Sequence, residues 1–134
     1  MKAQPKIIDL KKILDPRGNL SIIESGKELD FPIQRAYWIY DVPGGEIRGG
    51  HAYKTLIEFI VALSGSFDVV LNDGEKEIKY HLNRSYYGLY VPKMYWRHME
   101  NFSTNSVAFI IADQDYDERE YIRDFEIFQQ LERD

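Results

Sequence analysis

Cysteine is absent from the 134 residues, which excludes disulfides, thiolate nucleophiles and cysteine-bound metals and is compatible with the cytosol. Histidine is scarce, with three residues in all. No apolar run approaches the roughly 20 residues needed to span a bilayer. The opening stretch MKAQPKIIDLKKIL contains no apolar signal-peptide core. The expectation is therefore a cytoplasmic protein with no membrane partner. Basic residues are outnumbered, 17 against 22 acidic, for a net charge of -5, which weighs against nucleic acid as a partner. Repeats, low-complexity segments and linkers are also missing. The chain reads as one domain, 1–134, long enough to bury a core. Aromatic residues are plentiful, with ten tyrosines and seven phenylalanines. Strands favour such side chains, and sugar and nucleotide sites use them for stacking.

Short apolar or alternating runs dominate. Residues 20–25, 35–42, 57–63, 66–73, 77–82, 86–92 and 106–112 read as strands, separated by the turn signals DPRGN, PGG, SGS, NDG and FSTN. NDG at 72–74 is a strong hairpin signal. Many short strands at close spacing predict an all-β sandwich or jelly-roll barrel. The exception is 118–132, where Ile122, Phe125, Phe128 and Leu131 fall near one helical face. A short helix packed on the barrel is expected there.

The chemistry concentrates in GEIRGGHAYKTLIEFIVALSG, 45–65. On a strand, residues two apart share a face, so His51 and Tyr53 point together, and Glu58 on the next strand can face them across the turn. Flanking glycines let the chain bend at the barrel corners. This layout is similar to the first motif of the cupin barrel, with Tyr53 where metal-binding cupins carry His. In the second motif, GLYVPKMYWRHMEN at 88–101, Arg97 occupies the last ligand position, and a guanidinium has no lone pair to give. His98 is one residue out, which on a strand faces it the other way. His51 and Glu58 alone hold a divalent ion poorly, so neither metal nor other cofactor is expected. A neutral imidazole can instead take a proton next to a carbonyl, with a phenol and a guanidinium to hold the oxyanion. A histidine merely satisfied within a β core is the bland alternative, and the surrounding motif favours function. Arg17, Arg35, Arg48, Lys54 and Arg97 collect near the barrel mouth, where bidentate arginines suit a diphosphate. Lys54 and Arg35, taken singly, read as ordinary surface charge. On 35–42, Tyr37 is expected to face the cavity, with Trp38 and Tyr40 serving packing or a subunit contact.

DPRG at 15–18, RAYWIYDVPGGEIRGGHAYK at 35–54, LSGSFDVVLNDG at 63–74, GLYVPKMYW at 88–96 and DYDEREYIRDFEIF at 115–128 together resemble the dTDP-4-keto-6-deoxyglucose 3,4-ketoisomerases of the cupin superfamily. The resemblance covers nearly the whole chain. It implies a single cupin jelly-roll domain with a short C-terminal helix, acting without metal as a homodimer on a thymidine diphosphate sugar. In that chemistry a histidine removes the proton at C3 of the 4-keto sugar. The enediol is then reprotonated at C4, moving the ketone to C3 on the way to 3-amino-3,6-dideoxy sugars. By position, His51 matches the first His of the family's His-Ala-His and is the base expected. Tyr37 matches a tyrosine that hydrogen-bonds the sugar, and Arg48 an arginine that holds sugar or diphosphate. Arg17 and Arg97 match positions near the hexose that steer the face of reprotonation. Lys54 and Glu58 complete the expected substrate-binding set. Three residues depart from the pattern: Tyr53 for the second His, Glu58 for Gln, and Arg97 where a His is common. Tyr53 must then relay the proton to C4 as a phenol. A non-catalytic module that binds dTDP-sugars is the alternative that Tyr53 favours. A metal-dependent cupin using His51, Glu58 and His98 is a third, and a 3,5-epimerase a fourth, against which the ending at 115–128 speaks.

Overall fold

Alternation of apolar and polar residues resolves into twelve strands and one helix among residues 2–134, which the computed structural model describes. In chain order the strands are β1 (Lys6–Asp9), β2 (Lys12–Ile13), β3 (Leu20–Ser21), β4 (Arg35–Tyr40), β5 (Arg48–Tyr53) and β6 (Glu58–Ser64). Then come β7 (Phe67–Asn72), β8 (Glu77–Leu82), β9 (Tyr87–Val91), β10 (Trp96–Glu100), β11 (Val107–Ala112) and β12 (Tyr121–Ile122), followed by the helix α1 (Phe125–Arg133). Two five-stranded antiparallel sheets, β1-β9-β6-β11-β4 and β12-β5-β10-β7-β8, face each other, and β2–β3 forms a separate hairpin. This is the expected jelly-roll architecture.

The inner faces meet in an apolar core that includes Ile60, Phe67, Val69, Leu71, Leu82, Leu89 and Ile110. The outer face of the first sheet, through Phe59, Val61, Tyr90 and Ile111, packs under Leu10, Leu29 and Phe31 from the preceding segment. Phe128 of α1 fills the outer face of the second sheet with Ala52 and Ile122.

Two expectations need correction. The run 118–132 is not one helix. Glu118–Glu120 forms a single 3-10 turn, Tyr121–Ile122 pairs with Tyr53 and Ala52 as β12, and α1 starts only after Asp124. Asp124 decides the break, because its side chain accepts from the amides of Glu126 and Ile127 and caps the helix there. Ile122 is thus buried beneath the helix rather than on it, and Leu131 is exposed. The strand read at 20–25 shrinks to Leu20–Ser21, which pairs with the two-residue β2.

A glycine pair sets the register of β5. Arg97 lies opposite His51 and His98 opposite Gly49, so Gly50 is the extra residue of a β-bulge. Gly49 and Gly50 both hold positive φ, and a Cβ on Gly49 would come within 3.0 Å of the Arg97 carbonyl oxygen and the His98 Cα. Only glycine tolerates that approach. The bulge shifts the alternation by one, bringing Arg48 opposite inward-facing Met99 while His51 stays opposite inward-facing Arg97. Two residues three apart therefore reach the same side.

Candidate active site

At one end of the barrel the two sheets enclose a cavity of about 510 Å³ lined by Arg35, Tyr37, Arg48, His51, Tyr53, Glu58, Arg97, Tyr121 and Arg123, among others. Inward alternation supplies the set: Arg35 and Tyr37 from β4, His51 and Tyr53 from β5, Glu58 from β6 and Arg97 from β10. The β5–β6 connection that carries His51 and Glu58 is pinned from outside. The Glu120 carboxylate accepts from the amides of Thr55 and Leu56 at 2.8 and 2.9 Å, and Asp113 accepts from the amide of Ile57 at 2.9 Å.

Glu58 organises the floor. It is fully buried, accepts from the Tyr37 hydroxyl at 2.5 Å and pairs with Arg97 Nη1 at 2.8 Å. Arg97, equally buried, also donates through Nη2 to the Tyr95 carbonyl at 3.0 Å, and its guanidinium lies 4.8 Å over the Tyr53 ring. Burial, and then the neighbouring Glu58 charge, hold the Tyr37 and Tyr53 phenols far above the usual tyrosine range. Both phenols are protonated at neutral pH. Tyr53 donates to the Tyr121 hydroxyl at 3.2 Å. The His51 ring packs against both, with centroids 4.9 Å from Tyr53 and 5.0 Å from Tyr121.

His51 is pulled down to about 3, first by burial and then by the charges of Arg97 and Arg123. The imidazole is neutral at physiological pH, and its Nε2 is buried without a hydrogen-bond partner. Two more buried side-chain nitrogens are unpartnered among the described residues, Nη1 of Arg35 and Nε of Arg97. All three belong to this cavity's lining. Buried polar atoms are rarely left unpaired, so three around one cavity mark a place for an oxygen-rich, anionic guest. By contrast, a cleft of about 650 Å³ between the β2–β3 hairpin and the first sheet, lined by Leu10, Leu14, Ile23, Val61, Leu63 and Phe109 among others, gathers no such groups.

The cavity brings together His51, Tyr53, Tyr37, Glu58, Arg48 and Arg97 of the residues expected from sequence. It does not include Arg17 or Lys54. Arg17 lies exposed in the turn between β2 and β3, paired with Asp15, and Lys54 faces a shallow surface groove beside Ile127 and Leu131. His98 faces outward and bonds Glu100, so it cannot join His51 and Glu58 as a third metal ligand. Among the described residues no three His, Asp or Glu side chains converge as a metal site. Sequence reasoning discounted Arg35, which stacks 4.5 Å over Tyr37 in the cavity wall; its place two residues before Tyr37 was the available signal. It missed Tyr121 and Arg123 because the helical reading absorbed them, although Asp124 followed by Phe125 marked a later helix start.

Residues 3–133 match the model of the family described as FdtA: WxcM-like, C-terminal. The chain belongs to this family. Among relatives of the FdtA family chain, the TDP-4-oxo-6-deoxy-alpha-D-glucose-3,4-oxoisomerase of Aneurinibacillus thermoaerophilus is 42% identical over 123 residues, 92% of this chain and 88% of that protein. The crystal structure of a 3,4-ketoisomerase from Helicobacter canadensis superposes with a TM-score of 0.95 at 38% identity, covering 99% of this chain and 100% of that one. A His-to-Asn mutant of the 3,4-ketoisomerase from Thermoanaerobacterium thermosaccharolyticum, solved with TDP-4-keto-6-deoxyglucose, superposes with a TM-score of 0.96 at 31% identity, covering 99% and 96%. The cavity in this FdtA-family chain thus sits on a fold shared with sugar ketoisomerases.

Proposed function

We propose that the chain is a TDP-sugar 3,4-ketoisomerase that moves the ketone of TDP-4-keto-6-deoxyglucose from C4 to C3. The observation carrying this is the unpartnered His51 Nε2, buried in a cavity ringed by arginines, in a family whose relatives bear that activity. His51 takes the proton from C3 as the neutral base. The C3–H bond breaks and negative charge develops on O4, giving the enediolate. A proton then arrives at C4 while the O3 proton passes to the neighbouring O4, leaving the ketone at C3, so bonds and charges balance. Tyr53 serves as the donor to C4, since its phenol is protonated at neutral pH and carries the proton to be delivered. Arg48 and Arg97 hold the sugar and its developing oxyanion, and Tyr37, its own proton given to Glu58, accepts from a sugar hydroxyl. Arg35 and Arg123 add positive charge suited to the diphosphate. Negative charge from a bound diphosphate offsets the cations beside His51, so the base strengthens as substrate arrives.

A homodimer is part of the reading. Trp38, Tyr40 and Leu63 are half or more exposed on the first sheet, and Ile13, Leu14 and Leu20 stand out on the β2–β3 hairpin. A second copy would cover such a patch. Arg17, at the hairpin turn, would act on the hexose only if that copy carried it to a cavity. Sedimentation at micromolar concentration tests the dimer: a monomeric mass would remove both statements.

Proton NMR with TDP-4-keto-6-deoxyglucose in deuterated buffer tests the activity. Deuterium at C3 and C4 with a 3-keto product is expected. A non-catalytic sugar-nucleotide binder is the second reading, favoured by a Tyr53 that is fully buried and already bonded to Tyr121. Binding without exchange at either carbon would replace the first reading with the second.

A further inference from the structure

The ending 115–128 that marks the chain's resemblance has an unassigned tyrosine at its centre. Tyr121 sits on β12, which pairs with β5 so that Tyr121 lies directly opposite Tyr53. The three rings of His51, Tyr53 and Tyr121 close a triangle with centroids 4.8 to 5.0 Å apart. Tyr53 is fully buried, whereas Tyr121 is partly exposed and lines both the inner cavity and the adjoining groove that opens beside Lys54 and Asp124. Arg123 covers the outer face of the Tyr121 ring at 4.2 Å, itself steadied by Glu118.

A buried phenol that has given up a proton must be refilled, and the surroundings offer few routes. The Tyr37 hydroxyl is committed to Glu58 at 2.5 Å, and no exposed group touches Tyr53 through Arg97, which is as buried as Tyr53 itself. The Tyr121 hydroxyl at 3.2 Å is the polar neighbour that leads outward. Hydroxyl hydrogens rotate, so one oxygen–oxygen contact serves donation in either sense.

Resting on the ketoisomerase reading, we propose that Tyr121 is a positioning and relay residue for this reaction: it hands Tyr53 the proton that replaces the one delivered to C4. Tyr53 O–H breaks as C4–H forms, Tyr121 O–H breaks as Tyr53 O–H re-forms, and water at the mouth restores Tyr121. His51 returns the C3 proton to solvent, leaving the sum neutral. The device belongs to a chain that carries Tyr at 53. An imidazole there could exchange protons through its own second nitrogen.

The test is Tyr121→Phe, which keeps the ring and removes the hydroxyl, followed by NMR in deuterated buffer with TDP-4-keto-6-deoxyglucose. Exchange at C3 should stay within about threefold of the unaltered protein, while 3-keto product formation falls about tenfold or more. Adding Tyr53→Phe should cost little beyond Tyr53→Phe alone, since both changes cut one relay. In a Tyr53→His background the loss from Tyr121→Phe should drop below about threefold. Equal losses of C3 exchange and product, or the same tenfold loss in the Tyr53→His background, would mean Tyr121 is only packing and would overturn the relay. An unaltered protein that forms no 3-keto sugar would instead defeat the ketoisomerase reading, a result separate from either.

Discussion

The barrel interior has two halves built by the same rule with opposite results. Around β7, β8 and β9, inward positions are apolar and closed: Phe67, Val69, Leu71, Leu82 and Leu89 are 0 to 1% exposed. Around β5, inward positions hold a histidine, two phenols, a carboxylate and a guanidinium, and two of these side chains keep an unpaired buried nitrogen. The first half gains its stability from removing about 25 cal/mol per Å² of apolar surface from water. The second surrenders some of that gain to hold groups ready for a guest. The Glu58–Arg97 pair lies at the frontier, with Arg97 directly across from Leu71 on β7.

The contrast can be broken most severely at the base. His51→Asn should leave far-ultraviolet circular dichroism unchanged and lower turnover by about 10² to 10⁴-fold; a rate within threefold would take His51 out of the mechanism. Breaking the frontier should cost stability instead. Arg97→Met strands a buried Glu58 and should lower the urea-derived stability by about 3–5 kcal/mol. Pairing it with Glu58→Gln should recover part of that loss, because the uncompensated charge is gone. If the double variant is no better than the single, packing rather than charge holds the frontier.

Lowering pH probes the polar half alone. His51 titrates at about 3 in the folded chain against about 6.5 in an unfolded one. Between those values the unfolded state binds the extra proton, so this contribution is whole above about 6.5 and drains away as pH falls toward 3. Denaturant midpoints of the natural protein should fall over that window more steeply than those of His51→Asn. Parallel curves would show that His51 is not held neutral by the fold. The mildest change is Gly49→Ala, which forces a Cβ into positive φ against the Arg97 backbone. It should cost about 1–2 kcal/mol and weaken turnover with it, since the same contact sets His51 opposite Arg97.

Much of the polar half was legible because period two is a local property. His51, Tyr53, Tyr37 and Glu58 follow from counting residues along single strands. The pairing of Glu58 with Arg97 does not, because it joins strands 39 residues apart through a register that no local count supplies. Arg48 and His51 share a side only through the bulge, which strict alternation denies. Tyr121 was hidden by an apolar spacing that suited a helix, until ladder bonds to β5 and the Asp124 cap outweighed it. Arg17 and Lys54 were legible as cations, but charge in a sequence carries no address: one is spent on Asp15 and the other faces outward.

The Gly50 bulge also separates two things that selection can then alter apart. Straightening that bulge, so that Gly50 took a regular place in the ladder, would restore strict parity and send Arg48 to the outside of the barrel, with His51 and Tyr53 left in place. The strand is thus modular at a single glycine: what lies before it can be retuned for a differently charged sugar nucleotide, while what lies after it keeps its hold on the proton.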